Sequence, residues 1–396
     1  VCEIVTGSTP GTQNPELWNG NIKWVTPAEI TDTSYFINDT ERHISPKARL
    51  KAMPAGTVLL SSRAPIGKVA IAGTPMCCNQ GFKNLICSDQ INNRYLYRYL
   101  KSQTAYLNSL GRGATFKEIS KPIVENIHIP LPPLHVQLEI ADILDQVSIL
   151  LEKRKTQIDK LDMLVKSQFV EMFGDPVTNP MGWEMKSFGE FIVFLTSGSR
   201  GWSGYFTQEG EMFLTIKNVK RSSITTDKVQ YVCAPKTKEA ERTRVKEGDL
   251  LISITADLGR TGVISADIAS YGAYINQHLS LVRLKQSKLN PLFASYYFES
   301  NAGKNQFESK NQIGVKAGLN FDAINSLVIY VPPLPLQHRF ADFVRATDRS
   351  KVAMLSGLNK LELLYKSLVQ KMFFASPSAA SPVLPTTSKD NKLFGR

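Results

Sequence analysis

The side chains that could do chemistry in this chain of 396 residues are scattered rather than gathered. Its five histidines, His43, His128, His135, His278 and His338, fall into no metal-ligand spacing. No HExxH pair, GxSxG elbow or cluster of carboxylates is present, so hydrolytic and metal-assisted reactions lack their usual parts. Neither a GxxxxGK[ST] loop nor a GxGxxG turn follows a strand, which removes the common phosphate cradles. Pro132–Pro133 and Pro332–Pro333 follow aliphatic strands. An adenine methylase would need Asp or Asn before such a pair and an aromatic after it. Leu and Leu flank the first pair, Val and Leu the second. Cys2, Cys77, Cys78, Cys87 and Cys233 make neither an even disulfide framework nor a CxxC pair. A bridge between the adjacent Cys77 and Cys78 would be strained. Reduced, mostly packed thiols in a cytoplasmic protein are expected. This chain is therefore read as non-catalytic, with no metal and no cofactor of its own.

What does recur is polar. AGTVLLSSRAPIGKVAI (55–71) resembles EGDLLISITADLGRTGVI (247–264), which sets Gly56 against Gly248, Gly67 against Gly259 and Lys68 against Arg260. Asn79–Gln80 likewise matches Asn276–Gln277, and IKWVTPAEI (22–30) matches EMFLTIKNV (211–219). The offset drifts through these stretches, as loop insertions cause. Arg, Lys, Asn and Gln on loops are the side chains that read base edges and grip phosphates. The net charge of +12 includes +5 on residues 1–133 and +3 on residues 174–333, a balance that suits a polyanionic partner. Excess lysine that merely aids solubility is the plainer alternative.

The elements that must hold these loops are long helices. Residues 129–173 and 329–373 match without a gap at an offset of 200. Pro132–Pro133–Leu134, Gln137, Ala141–Asp142, Lys160–Leu161, Leu164, Lys166–Ser167 and Met172–Phe173 each find their partner. From Leu134 to Phe173 there is no Gly or Pro, and apolar residues fall at Leu144, Val147, Leu151, Ile158, Leu161, Val165 and Met172. Steps of three and four, broken at Arg154, are the seam of a coiled coil. The second helix keeps the register with Val344, Met354, Leu358, Leu361, Tyr365, Leu368 and Met372, with Thr347 and Lys351 as weak positions. A helix of about 37 residues is roughly 55 Å long, so pairing of the two seams is expected, antiparallel. The alternative is that each helix packs on its own domain.

The fold class is thus mixed α/β: two pseudo-twofold-related α/β domains separated by a pair of long antiparallel coiled-coil-like helices. The expected divisions are 1–133, a spacer helix over 134–174, 175–333, a second spacer helix over 334–374, and a Ser/Pro-rich tail over 375–396. Strands are expected at VLLSS (58–62), KVAIA (68–72), NIHIPL (126–131), LLISIT (250–255) and SLVIYV (326–331), and helices over 95–110 and 292–307. No run of 18 apolar residues offers a membrane span. The chain enters a patterned segment at once from Val1, as it would if it starts inside the first domain.

With the repeat in view, the sequence resembles the specificity subunits of Type I restriction–modification systems. TGSTPGTQNPELWNGNIKWVTPAEI (6–30), SSRAPIGKVAI (61–71), NQGFKNL (79–85), PLPPLHVQLEIADILD (130–145) and FVEMFGDPVTNPMGW (169–183) carry the likeness over nearly the whole length. The resemblance implies two target-recognition domains, each reading one half of a bipartite, asymmetric site in double-stranded DNA, with the gap set by the helices. It implies two modification subunits as partners, which methylate adenine with S-adenosylmethionine, and restriction subunits that translocate DNA with ATP and Mg. The second domain departs from the pattern: TSGSRGWSG (196–204) lacks the full TGSTP-like turn, and Thr215–Ile216–Lys217 replaces Thr26–Pro27–Ala28. The two halves are therefore expected to read different sequences. The candidate DNA contacts are Arg63, Lys68, Asn79, Gln80, Lys83, Arg112 and Lys117 in the first domain. In the second they are Lys217, Asn218, Arg260, Asn276, Gln277, Lys310 and Lys316. The recurring Asn–Gln pairs suit a scaffold at least as well as a reader. A protein–protein scaffold without DNA readout is one rival function, and a DNA enzyme of another type, disfavoured by the missing motifs, is the second.

Overall fold

The computed structural model describes residues 1–63, 65–113, 117–311 and 318–374. The described residues divide into two units, one built from 1–154 with 357–374, the other from 155–356. Each long helix is shared between them.

In the first unit a five-stranded sheet runs in the order Cys2–Thr6, Phe82–Cys87, Val58–Ser61, Val69–Ala72, Phe36–Ile37, antiparallel except for its last pair. Its central strands are buried on both faces, which is why they read as continuous apolar runs rather than alternations. Val58, Leu60, Ile71 and Leu85 face one core, while Leu59, Ala70, Ala72 and Phe82 face another. The second unit repeats the device in the order Ile192–Ser197, Leu279–Leu284, Leu250–Ser253, Thr261–Val263. Leu250, Ile252 and Val282 turn one way, Leu251 and Leu281 the other. A smaller sheet flanks each. Trp24–Val25 pairs in parallel with Cys77–Cys78, as Phe213–Leu214 does with Tyr274–Ile275.

The expected helices over 95–110 and 292–307 each split in two: Asn93–Ser102 with Thr104–Leu110, and Pro291–Glu299 with Asn301–Ser309. Asn92 and Asn290 cap the first of each pair through their side-chain oxygens. One expected strand is absent. Residues 126–131 form none, although Ile127 and Ile129 still pack on the core. The matching segment Val328–Tyr330 is a strand because Met185–Ser187 lies alongside to take its hydrogen bonds. Residues 126–131 have no such neighbour among the described residues.

The long helices span Leu134–Phe173 and Leu334–Phe374. Gly174, at a φ of +78°, ends the first, its N–H donating to the Val170 carbonyl. Within the first unit, Ile140 and Leu144 share a core with Tyr365, Leu368, Met372 and Phe373. Within the second, Val165, Phe169 and Phe173 share one with Phe340 and Val344, and Lys351 reaches Asp162 at 2.5 Å. The start of each helix therefore lies against the end of the other, antiparallel. Every expected seam residue is buried or half-buried, Val147, Leu151, Ile158, Leu161, Met354, Leu358 and Leu361 included. The helices also pack on the domains, so the two packing alternatives coexist.

A repeated latch fixes each helix to its unit. Gln137, fully buried, accepts from the Asn92 N–H at 2.9 Å and donates to the carbonyls of Gln90 (3.0 Å) and Pro132 (2.8 Å). Gln337, equally buried, accepts from the Asn290 N–H at 2.8 Å and donates to the Pro332 carbonyl at 2.7 Å. The carboxamide serves because it offers an acceptor and two donors at once.

Candidate nucleic-acid interface

At one end of each sheet the turns carrying the recurrent polar residues come together, built from glycine and serine. In the first unit Gly7 lies so close to the Asn79 carbonyl that a Cβ would sit 1.9 Å from its oxygen. The next N–H, of Ser8, donates to Cys78 O at 2.8 Å. In the second unit a Cβ on Gly198 would fall 2.1 Å from Asn276 O, and the Ser199 N–H donates to Ile275 O at 2.9 Å. The Gly–Ser half of the TGSTP turn is thus present in both units, and Thr9 stands where the second unit has Arg200. The neighbouring turn also repeats. Ser61 Oγ accepts from the Lys68 N–H at 2.9 Å, and Ser253 Oγ from the Arg260 N–H at 2.8 Å.

On this shared frame the candidate residues separate. Asn79 and Asn276 close their own turns, accepting from the N–H groups of Gly81 (2.9 Å) and His278 (3.2 Å), a scaffold role. Gln80 is exposed and its carbonyl accepts from the Thr9 hydroxyl. Gln277 accepts from Arg200 Nε at 2.5 Å, and its amide faces His278 Nε2 at 3.2 Å. Arg112, Lys117 and Lys217 are exposed, Arg112 pairing its backbone with Glu118. Lys68 reaches the Pro27 carbonyl at 3.1 Å and Lys310 the Ser326 hydroxyl at 2.8 Å. Arg260 pairs with Asp257 at 2.8 Å. It lines a cleft of about 810 Å³ where five acidic side chains face five basic ones, which gives a polyanion no net attraction. Lys316 lies outside the described residues, as does the tail.

Two candidates are corrected. Lys83 is buried and held by Ser62 Oγ (3.3 Å) and Glu118 Oε1 (3.1 Å), so its charge serves the interior. Asn218 is buried too. Its carbonyl caps the Thr215 N–H at 3.0 Å, its amide donates to Thr225 O at 3.0 Å, and it does for the second unit what Glu29 does for Thr26 in the first.

Sequence reasoning passed over Glu118, Thr9, Arg200, Thr255 and His278. Glu118 holds Arg63 (2.9 Å) as well as Lys83. Burial works against its charge, but the hydrogen bonds and charges of Lys83 and Arg63 outweigh it and keep the carboxyl below the ordinary glutamate range. His278 Nδ1 lies 2.7 Å from Thr255 Oγ1. Aligning GST (7–9) with GSR (198–200) at their glycines was the available signal for Thr9 and Arg200.

The long helices expose apolar residues at matched places. Met163 and Leu363 are each 66% exposed, Leu164 and Leu364 each 47%. No group of His, Cys, Asp and Glu fit to hold a metal occurs among the described residues, and no described helix is long and apolar enough to cross a membrane.

The family model of the Type I restriction modification DNA specificity domain matches residues 1–161 and 180–363. The chain belongs to that family. Among relatives of this specificity-domain protein, the Type I restriction enzyme MjaIX specificity subunit of Methanocaldococcus jannaschii is 36% identical over 243 residues, 55% of this chain. The match spans 56% of that relative's length. The EcoKI specificity subunit of Escherichia coli K12 is 23% identical over 83% of this chain and 75% of its own. Of solved structures, the Type I restriction–modification S subunit from M. genitalium superposes with a TM-score of 0.59 at 15% identity, covering 95% of this chain and 94% of that one. At that identity the likeness is one of fold, and it agrees with the mixed α/β architecture and long helices.

Proposed function

We propose that the chain is a non-catalytic specificity subunit that reads a bipartite, asymmetric site in double-stranded DNA, one half per unit. One observation carries this reading. The same frame of Gly–Ser turn, Asn–Gln turn and serine-closed turn is built twice, and the polar side chains at its tips differ. A duplicated frame with divergent tips serves one task on two sequences. A protein–protein scaffold has no use for that divergence. The long helices set the gap between the halves. The matched apolar pairs Met163–Leu164 and Leu363–Leu364 give two equivalent docking stripes, which suit two copies of one modification subunit. S-adenosylmethionine then belongs to those subunits, and ATP and Mg to the restriction subunits.

The test is selection from a randomised duplex library by the chain assembled with its modification subunit. Two short blocks separated by a constant gap are expected. Enrichment of one continuous block, or of none, overturns the proposal. Leu363→Ser combined with Leu364→Ser should weaken partner capture and leave the first half-motif intact in the complexes that still form.

A further inference from the structure

Arginine can only donate hydrogen bonds, and this fixes the polarity of a chain of side chains in the second unit. Arg200 Nε donates to Gln277 Oε1, so the Gln277 carbonyl faces Arg200 and its NH2 faces His278. His278 Nε2 must then accept, leaving its proton on Nδ1 to donate to Thr255 Oγ1 at 2.7 Å. The half-buried Gln277 has a partner within the protein at each end, which fixes it as a bracket for Arg200. Arg200 is exposed, and its two terminal amines have no partner among the described residues. A guanidinium pinned at Nε with both amines free has the fork that matches O6 and N7 of guanine in the major groove.

The first unit makes a different offer from the same place. Thr9 replaces Arg200, and its hydroxyl occupies one lone pair of the Gln80 carbonyl. The exposed Gln80 keeps a second lone pair and both amide protons, the acceptor–donor pattern that matches N6 and N7 of adenine. Gly81 stands where the second unit has His278, so nothing at that position ties down the Gln80 amide.

We infer that Thr9–Gln80 and Arg200–Gln277 are equivalent specificity-determining pairs: Arg200 selects a guanine in the half-site of the second unit, and Gln80 selects an adenine in that of the first. The recurring glutamine is a reader in one unit and a bracket for the reader in the other. This rests on the DNA-reading function proposed above.

The experiment repeats the randomised-duplex selection with the assembled complex carrying Arg200→Ala, Arg200→Lys or Thr9→Arg. Arg200→Ala should cost about tenfold or more in preference for guanine at one position of one half. The rest of that half, the other half and the gap should stay unchanged. Arg200→Lys should retain part of the preference. Thr9→Arg should introduce a guanine in the other half, a gain that impaired folding cannot mimic. An unchanged motif with Arg200→Ala overturns the inference. So does an equal loss of affinity for every sequence, which would mark Arg200 as a phosphate contact. A native complex that enriches no sequence overturns the DNA-reading function itself.

Discussion

Replacing Gln137 with alanine tests whether the latch secures the long helix to its unit. The side chain is fully buried, and its loss strands the Asn92 N–H and the carbonyls of Gln90 and Pro132. A buried polar group left without a partner costs about 1–3 kcal/mol. Water entering the space relieves part of this, so three stranded groups amount to about 3–5 kcal/mol. Gln337→Ala strands two groups, the Asn290 N–H and the Pro332 carbonyl, and should cost about 2–4 kcal/mol by the same measure. Gln137→Glu is the sharper probe. It keeps the acceptor for Asn92 but aims a carboxylate at two carbonyls, so it should be at least as damaging as alanine despite its near-identical shape. Denaturant unfolding of the full chain, followed separately for each transition it shows, gives the cost. Losses below about 1 kcal/mol for both alanine variants would refute the latch.

Four further outcomes follow from the first unit and the exposed cations. Asp145 joins Arg94 (2.9 Å), Arg98 (2.8 Å) and Tyr35 (2.7 Å), and Arg98 is buried. Asp145→Ala should therefore cost about 3–5 kcal/mol. Its repeat partner Arg345, in an exposed pair with Asp342, should cost under about 1 kcal/mol when changed to alanine. Because the Glu118 carboxyl is held below its unfolded value, its contribution is complete above about pH 4.3 and is lost as pH falls through the lower folded value. Glu118→Gln should flatten the acid limb of stability, and an unaltered limb would contradict that assignment. Lys217→Ala, at an exposed position, should lower the slope of log K against log salt by about 0.9 while leaving the enriched motif intact.

The helices were legible from sequence because a seam and an exact register recur over forty-odd residues, and helix packing depends on local spacing. The match of Gln137 with Gln337 was visible too, but its reason was not, since the groups it bonds lie up to 47 residues away. Distance in sequence also hid the partner of Lys83, 35 residues away, whereas Asn218 bonds within seven residues and was misread from its side-chain type alone. Charge and amide chemistry ordinarily imply exposure, and only folding brings Glu118 to Lys83 and Thr225 to Asn218. NIHIPL has the composition of a strand and lacks a neighbour to pair with. Arg200 and Thr9 escaped because loop insertions shift the offset around them; the short Gly–Ser match was the one sequence signal, and the close approach of Gly7 and Gly198 to their Asn carbonyls gives it its structural reason.

The central claim, that two units read two half-sites at a distance set by the helices, is tested most directly by lengthening both helices together. A seven-residue insertion after Arg154, matched by one after Ser356, keeps each seam in phase and adds about 10 Å to each helix. That is about three base pairs of duplex. Selection from randomised duplex should return the two native half-motifs with a gap longer by about that amount. Native half-motifs with an unchanged gap would contradict the account.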